Sequence, residues 1–135
     1  MNIPFLGSRR RKTGMPDPEG IAELLAECEL LRTQADRVGV RLDDSPASLE
    51  ALDQLVPRWR DDEETSTWLG NDAGLYLGTV IVRTVPGAAW EIRADGQPVL
   101  RLTSGREFDV VDAGHAWAAD GVPELSQLYA EVAEA

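Results

Sequence analysis

The chain is short of the residues from which most enzyme chemistry is built. It has one cysteine, Cys28, and one histidine, His115, among 135 residues. No intramolecular disulfide is therefore possible, and neither a thiolate cage nor a two-histidine metal site can form within one chain. Lysine occurs once, as Lys12, beside twelve arginines. No apolar run approaches the ~20 residues of a membrane span. The short stretch Ile3 to Leu6 precedes its basic residues, the reverse of a secretory signal, and no apolar run follows the arginines as a twin-arginine export signal requires. Cytoplasmic residence is the expectation. The arginine bias and abundant alanine point to a GC-rich bacterial genome.

What is abundant is negative charge, unevenly placed. Residues 1–14 carry Arg9, Arg10, Arg11 and Lys12 and no acid. The other 121 residues hold nine arginines against all 24 acids, a net of −15. A body that acidic repels phosphate backbones, which disfavours nucleic-acid binding by the globular part. At this length the chain fits one domain able to bury about two thirds of its unfolded surface.

Along the chain, residues 1–15 read as a flexible basic tail and 16–135 as a single α+β domain. A first helix is expected from Pro18 or Glu19, with Leu24, Cys28, Leu31, Ala35 and Val38 on one apolar face and Gly39 as terminator. Ser45 as cap and Pro46 at the first helical position start a second helix. Leu49, Leu52, Leu55 and Val56 are its buried face, and Pro57 is expected to end or kink it. A third helix, about Glu63 to Arg83, begins on Asp61, Asp62, Glu63 and Glu64, whose charges suit the positive end of its dipole. Its inward residues are predicted as Trp68, Leu69, Ala73, Tyr76, Leu77, Val80 and Ile81. Val85-Pro86-Gly87 breaks it.

The period then changes to two. Trp90, Ile92 and Ala94 form one strand, Asp95-Gly96 a turn, and Val99 to Leu102 a second strand. A three-residue loop is expected to set Ile92 opposite Leu100 and Trp90 opposite Leu102 on a buried face. Arg106 to Val110 is a candidate third strand. Two short helices follow: Asp112 caps the first, Gly121 ends it, and Pro123 opens the second, with Leu125, Leu128, Tyr129 and Val132 inward. The fold class is thus α+β: a helical layer on a small antiparallel sheet of two or three strands, with C-terminal helices.

The feature that stands out is Gly70, Gly74 and Gly78 on one stripe of the third helix, each costing about 1 kcal/mol against alanine. The stripe predicts another backbone or an aromatic ring close against it, with Trp90 and its hairpin, or the first helix, as partner. A membrane helix pair also uses this spacing, but Asn71, Asp72 and the acids upstream oppose that reading. Gly70, Gly74, Gly78, Tyr76 and Trp90 are assigned structural roles.

Candidate chemistry is thin. His115 has Asp112 three residues before it, but no serine or cysteine motif marks a nucleophile. Cys28 lies between Glu27 and Glu29, a poor setting for a reactive thiol. Asp43-Asp44 and Asp61 to Glu64 lack the spaced carboxylates and turn glycine of a calcium loop. No catalytic residue, metal or cofactor is assigned.

Three stretches carry a family resemblance: Leu42-Asp43-Asp44-Ser45 with Ser48-Leu49-Glu50-Ala51-Leu52-Asp53, then Gly74-Leu75-Tyr76-Leu77-Gly78-Thr79-Val80-Ile81, then Trp90. From Leu42 to about residue 133 the chain resembles a bacterial family known only as a domain of unknown function. Thr79 departs from the pattern, where members often carry an acid. The resemblance implies an α+β fold and no activity.

The reading that follows is a non-enzymatic interaction module: an adaptor, a regulator or an immunity-type protein that masks another protein. Ile3, Phe5, Leu6, Arg9, Arg10, Arg11 and Lys12 are its candidate docking residues. Two alternatives stand beside it. One is a ligand pocket or active site near His115, Trp117 and Trp90. The other is attachment of the tail to an anionic membrane, at roughly 1 kcal/mol per basic residue.

Overall fold

In the computed structural model the described residues are 18–134, and side chains are described from residue 20. The tail positions Ile3, Phe5, Leu6, Arg9, Arg10, Arg11 and Lys12 lie outside the described residues. Within them run six helices and three strands: α1 (Pro18–Leu25), α2 (Glu29–Arg37), α3 (Pro46–Arg60), α4 (Glu63–Thr84), β1 (Ala89–Ile92), β2 (Pro98–Arg101), β3 (Glu107–Phe108), α5 (Val110–Asp120) and α6 (Leu125–Glu134). The strands form one antiparallel sheet in the order β1-β2-β3. The architecture is α+β, as the sequence predicts.

Helix α4 is the axis of the molecule. Its residues 76–81 are buried without a break, and a helix buried all round needs neighbours on every side. It has them: α1, α2, α3, α5, α6, β1 and β2 all pack against it. The helix starts where the acids predict, with the Asp62 carboxylate accepting from the Glu64 N–H and the Thr65 hydroxyl. Ser45 caps α3 as expected, its hydroxyl accepting from the Ser48 N–H, with Pro46 next.

Several expectations need correction. The first helix is two helices. Cys28 takes a left-handed conformation (φ 38°) between α1 and α2, which turns Leu24 and Val38 outward, 67% and 42% exposed. Arg32 compensates the break: its guanidinium donates to the carbonyls of Ala26 and Glu27, which the helix end leaves without partners. Of the two outcomes expected of Pro57, an end is ruled out: α3 passes through it and reaches Arg60, where one turn further on the apolar stripe buries Trp59.

The hairpin register also differs. Trp90 pairs with Leu100 and Ile92 with Pro98. The loop does have three residues, but it closes on Arg93 and Gln97, with the Arg93 N–H donating to the Gln97 carbonyl. Gly96 takes the left-handed position (φ 91°) that such a loop requires. Ile92 consequently sits near the tip, 43% exposed. The third strand stops at Phe108 because Asp109, and not Asp112, caps α5: its carboxylate accepts from the Asp112 N–H. Val110 therefore begins the helix. Helix α6 begins at Leu125, two residues after Pro123, and Leu128 and Tyr129 are only partly buried.

Candidate functional site

Residues of a helix advance 100° each, so Gly70, Gly74 and Gly78 face one flank of α4. Helix α5 occupies most of that flank. A methyl group on Gly70 would strike the backbone and imidazole of His115; on Gly74 it would strike the backbone of Val110 and Val111. From the other side Gly114 of α5 lies against the Gly70 carbonyl and the Gly74 backbone. Main chain meets main chain here. Gly78 instead receives the edge of the Trp90 indole. The stripe thus serves both a backbone and an aromatic ring. The backbone partner is α5, which the sequence reading does not name, and not the first helix.

Among the described residues three carboxylates, Asp53, Asp72 and Asp44, reach inward, and each is occupied. Asp53 of α3 holds four donors: the Trp117 indole N–H at 2.9 Å, the Leu125 N–H at 2.8 Å, the Ser126 N–H at 3.2 Å and the Ser126 hydroxyl at 2.6 Å. It is the N-terminal cap of α6, supplied from another helix. The sequence signal was present: Asp53 stands four residues after Leu49 and three before Val56, on the apolar face.

Asp72 repeats the device for α2. Cys28 gives that helix no side-chain cap, and the Asp72 carboxylate accepts from the Leu31 N–H at 3.2 Å. Burial pushes the Asp72 carboxyl above its ordinary value, and the bonds it accepts only partly oppose this. Burial, followed by the Asp72 charge, pushes the neighbouring Cys28 thiol up to about 12. Such a thiol is protonated at neutral pH and inert.

Asp44 is the third. Left-handed backbone (φ 63°) aims its carboxylate between Arg32 and Arg83, each at 3.0 Å. Its N–H begins a chain of hydrogen bonds: to the Tyr76 hydroxyl at 2.8 Å, from Tyr76 to Ser48 at 2.7 Å, and from Ser48 to the Ser45 carbonyl at 2.6 Å. With the Ser48 proton committed to that carbonyl, Tyr76 is the donor to Ser48. Burial raises the Tyr76 hydroxyl above its usual range. Every polar atom along this chain has a partner.

The predicted pocket residues are not brought together. Trp117 is fully buried and bonded to Asp53. His115, two residues away and so 200° around α5, is exposed and lies over Gly70. Trp90 meets Gly78, about 12 Å further along α4 at 1.5 Å per residue.

Two of the clefts among the described residues lie elsewhere. One of about 330 Å³ lies between the hairpin tip and the α4–α5 pair, lined by Asn71, Asp95, Gly96, Gln97, Pro98 and Val111. The other, about 230 Å³, separates α2 from the first turns of α4. The outer face of the sheet carries a charge ladder: Arg93 binds Glu107 at 2.8 Å and Asp109 at 3.2 Å, and Arg101 binds Glu91. The bond from Arg101 holds the Glu91 carboxyl below its ordinary range. Among the described residues no group of three or more His, Cys, Asp or Glu could hold a metal ion, and no helix is long and apolar enough to cross a membrane.

Fold and interior together define a small α+β domain whose inward carboxylates cap or tie neighbouring helices. Over residues 1–135 the chain matches a family of unknown function, DUF6278, and it belongs to that family. The match extends past the stretch from Leu42 onward and takes in the basic tail. No curated protein and no solved structure matches the chain.

Proposed function

We propose that this chain is a non-enzymatic protein-interaction module of the bacterial cytoplasm, an adaptor, regulator or masking protein that docks through residues 1–14. One observation carries the reading: the charged groups that reach the interior are engaged in joining helices. Asp53 caps α6, Asp72 caps α2 and Asp44 ties Arg32 to Arg83. A carboxylate already holding four donors is poorly placed to exchange a proton with a substrate. What is left for recognition is surface, and there the chain is divided between a basic-apolar segment and a body of net charge −15. The family match includes that segment.

The test is affinity purification from the native cell with the full chain and with Met1–Gly14 deleted. Loss of co-purifying proteins, with the body still folded by circular dichroism, supports the reading. Retention of every partner by the shortened chain contradicts it. Flotation with anionic vesicles at low and high salt separates a lipid partner from a protein one, since lipid attraction of four basic residues is screened by salt.

A further inference from the structure

The cleft between α2 and α4 combines apolar and acidic side chains. One wall is a single helical stripe of α2, Leu30, Thr33, Gln34 and Arg37, at steps of three and four residues. The other is the start of α4, with Asp62, Glu64, Thr65 and Trp68. Leu30 is 52% exposed and Trp68 only half-buried, so an aliphatic and an aromatic side chain face a gap that no neighbour among the described residues fills. Acids rim it: Asp61 and Glu63 are exposed beside Asp62 and Glu64, and Glu29 is exposed beside Leu30. Arg37 is the one cation among the described residues of the lining.

We infer that this cleft is a docking site for the chain's own N-terminal segment, with Phe5 or Leu6 against Leu30 and Trp68 and the four cations of residues 9–12 along the acids of residues 61–64. The complementarity is specific in kind. Residues 3–12 join a short apolar group to four positive charges, and the cleft joins a small apolar floor to four consecutive acids.

Reach is sufficient whatever the direction of approach. Helix α1 has eight residues, about 12 Å at 1.5 Å per residue. The five residues from Ala26 to Leu30 add at most about 18 Å, so Leu30 lies within about 30 Å of Pro18. The thirteen residues from Phe5 to Pro18 extend to about 45 Å. Tethering at this length gives an effective concentration on the order of millimolar. A contact far too weak for free peptide is therefore occupied within the chain. A partner protein that takes the segment would have to displace it, so the cleft would hold the docking element in reserve. The inference does not depend on the identity of that partner.

Photo-cross-linking of the full chain tests this. Benzoylphenylalanine replaces Phe5, and the dilute protein is irradiated and mapped by mass spectrometry. Cross-links within one chain to residues 30–37 or 62–68 are expected. Their yield should fall at least about fivefold in Glu63→Lys/Glu64→Lys, as reversal of two surface ion pairs implies. It should recover when Arg9→Glu/Arg10→Glu is combined with that pair. The charge swap separates lost docking from a damaged fold. Cross-links confined to other surfaces, cross-links only between copies, no cross-link, or a yield unmoved by charge reversal would each overturn the proposal.

Discussion

Helix α4 has two flanks that resolve the same problem in opposite ways. On one, Gly70 and Gly74 remove the side chains and α5 descends until backbones touch. On the other, Thr65 and Trp68 keep α2 at a distance, and a cleft of about 230 Å³ remains. Neighbouring positions of one helix thus produce a closed contact and an open one, according to side-chain size. The closed flank brings two backbones together; the open flank leaves Leu30 and Trp68 partly exposed.

One large expected effect lies on the closed flank. Gly114→Ala sets a methyl group against the Gly70 carbonyl and the Gly74 backbone, which cannot rotate aside as a side chain can. Overpacking of this kind costs about 1–3 kcal/mol or more and outweighs the ~1 kcal/mol that alanine gains in helix propensity. Urea unfolding should show a lower midpoint, and a rise would mean that α5 does not sit as described. Next comes Asp53→Ala, which strands the Trp117 indole N–H and uncaps α6. A lost cap is worth about 1 kcal/mol and a buried unsatisfied donor about 1–3, so a loss of about 2–4 kcal/mol is expected. A loss below about 1 kcal/mol would show that the four-donor cage is incidental.

Asp72 gives a smaller effect with a definite sign. Its carboxyl holds the proton more firmly in the folded state than in the unfolded chain. Its contribution therefore favours folding below about pH 3.8 and declines as pH rises through the raised folded value. Asp72→Asn cannot titrate, so it should gain on the parent protein between pH 3 and pH 7 in parallel urea titrations. A difference independent of pH, or one that runs the other way, removes burial as the dominant influence on this group. The smallest effect belongs to the open flank. Leu30→Ala should change stability by no more than about 0.5 kcal/mol, and a cost of 2 kcal/mol would show that the cleft wall is packed.

The contrast between flanks also explains what could be read from the chain. Local chemistry was legible: the Ser45-Pro46 start, the acids opening α4, Gly121 ending α5 and the glycine stripe are each decided by residues close in sequence. The split at Cys28 was not. It depends on Arg32, one turn into α2, and on Asp72 of the distant α4 to satisfy the helix ends it exposes, and the 3.6-residue period simply runs on through it. The hairpin was recognised, but its register was set two residues away, because only the backbone of Gly96 fixes where the loop closes. Gly114 carries no such signal, because a lone glycine in a short helix is ambiguous until its partner is known. Asp53 and Asp72 were visible as acids on apolar faces, Asp72 four residues from both Trp68 and Tyr76. Their roles as caps for distant helices needed the fold. The residues expected to line a pocket near His115 are kept apart for a related reason: two residues along a helix, which brings His115 and Trp117 close in sequence, turns them to nearly opposite sides.

The most direct test is the unfolding free energy of Gly74→Ala, since that methyl would meet the Val110 carbonyl and the Val111 backbone. If close nesting of α5 on α4 is what this glycine is for, the variant is less stable than the parent by about 1–3 kcal/mol. A variant more stable by about 1 kcal/mol, the ordinary gain of alanine over glycine in a helix, would contradict it.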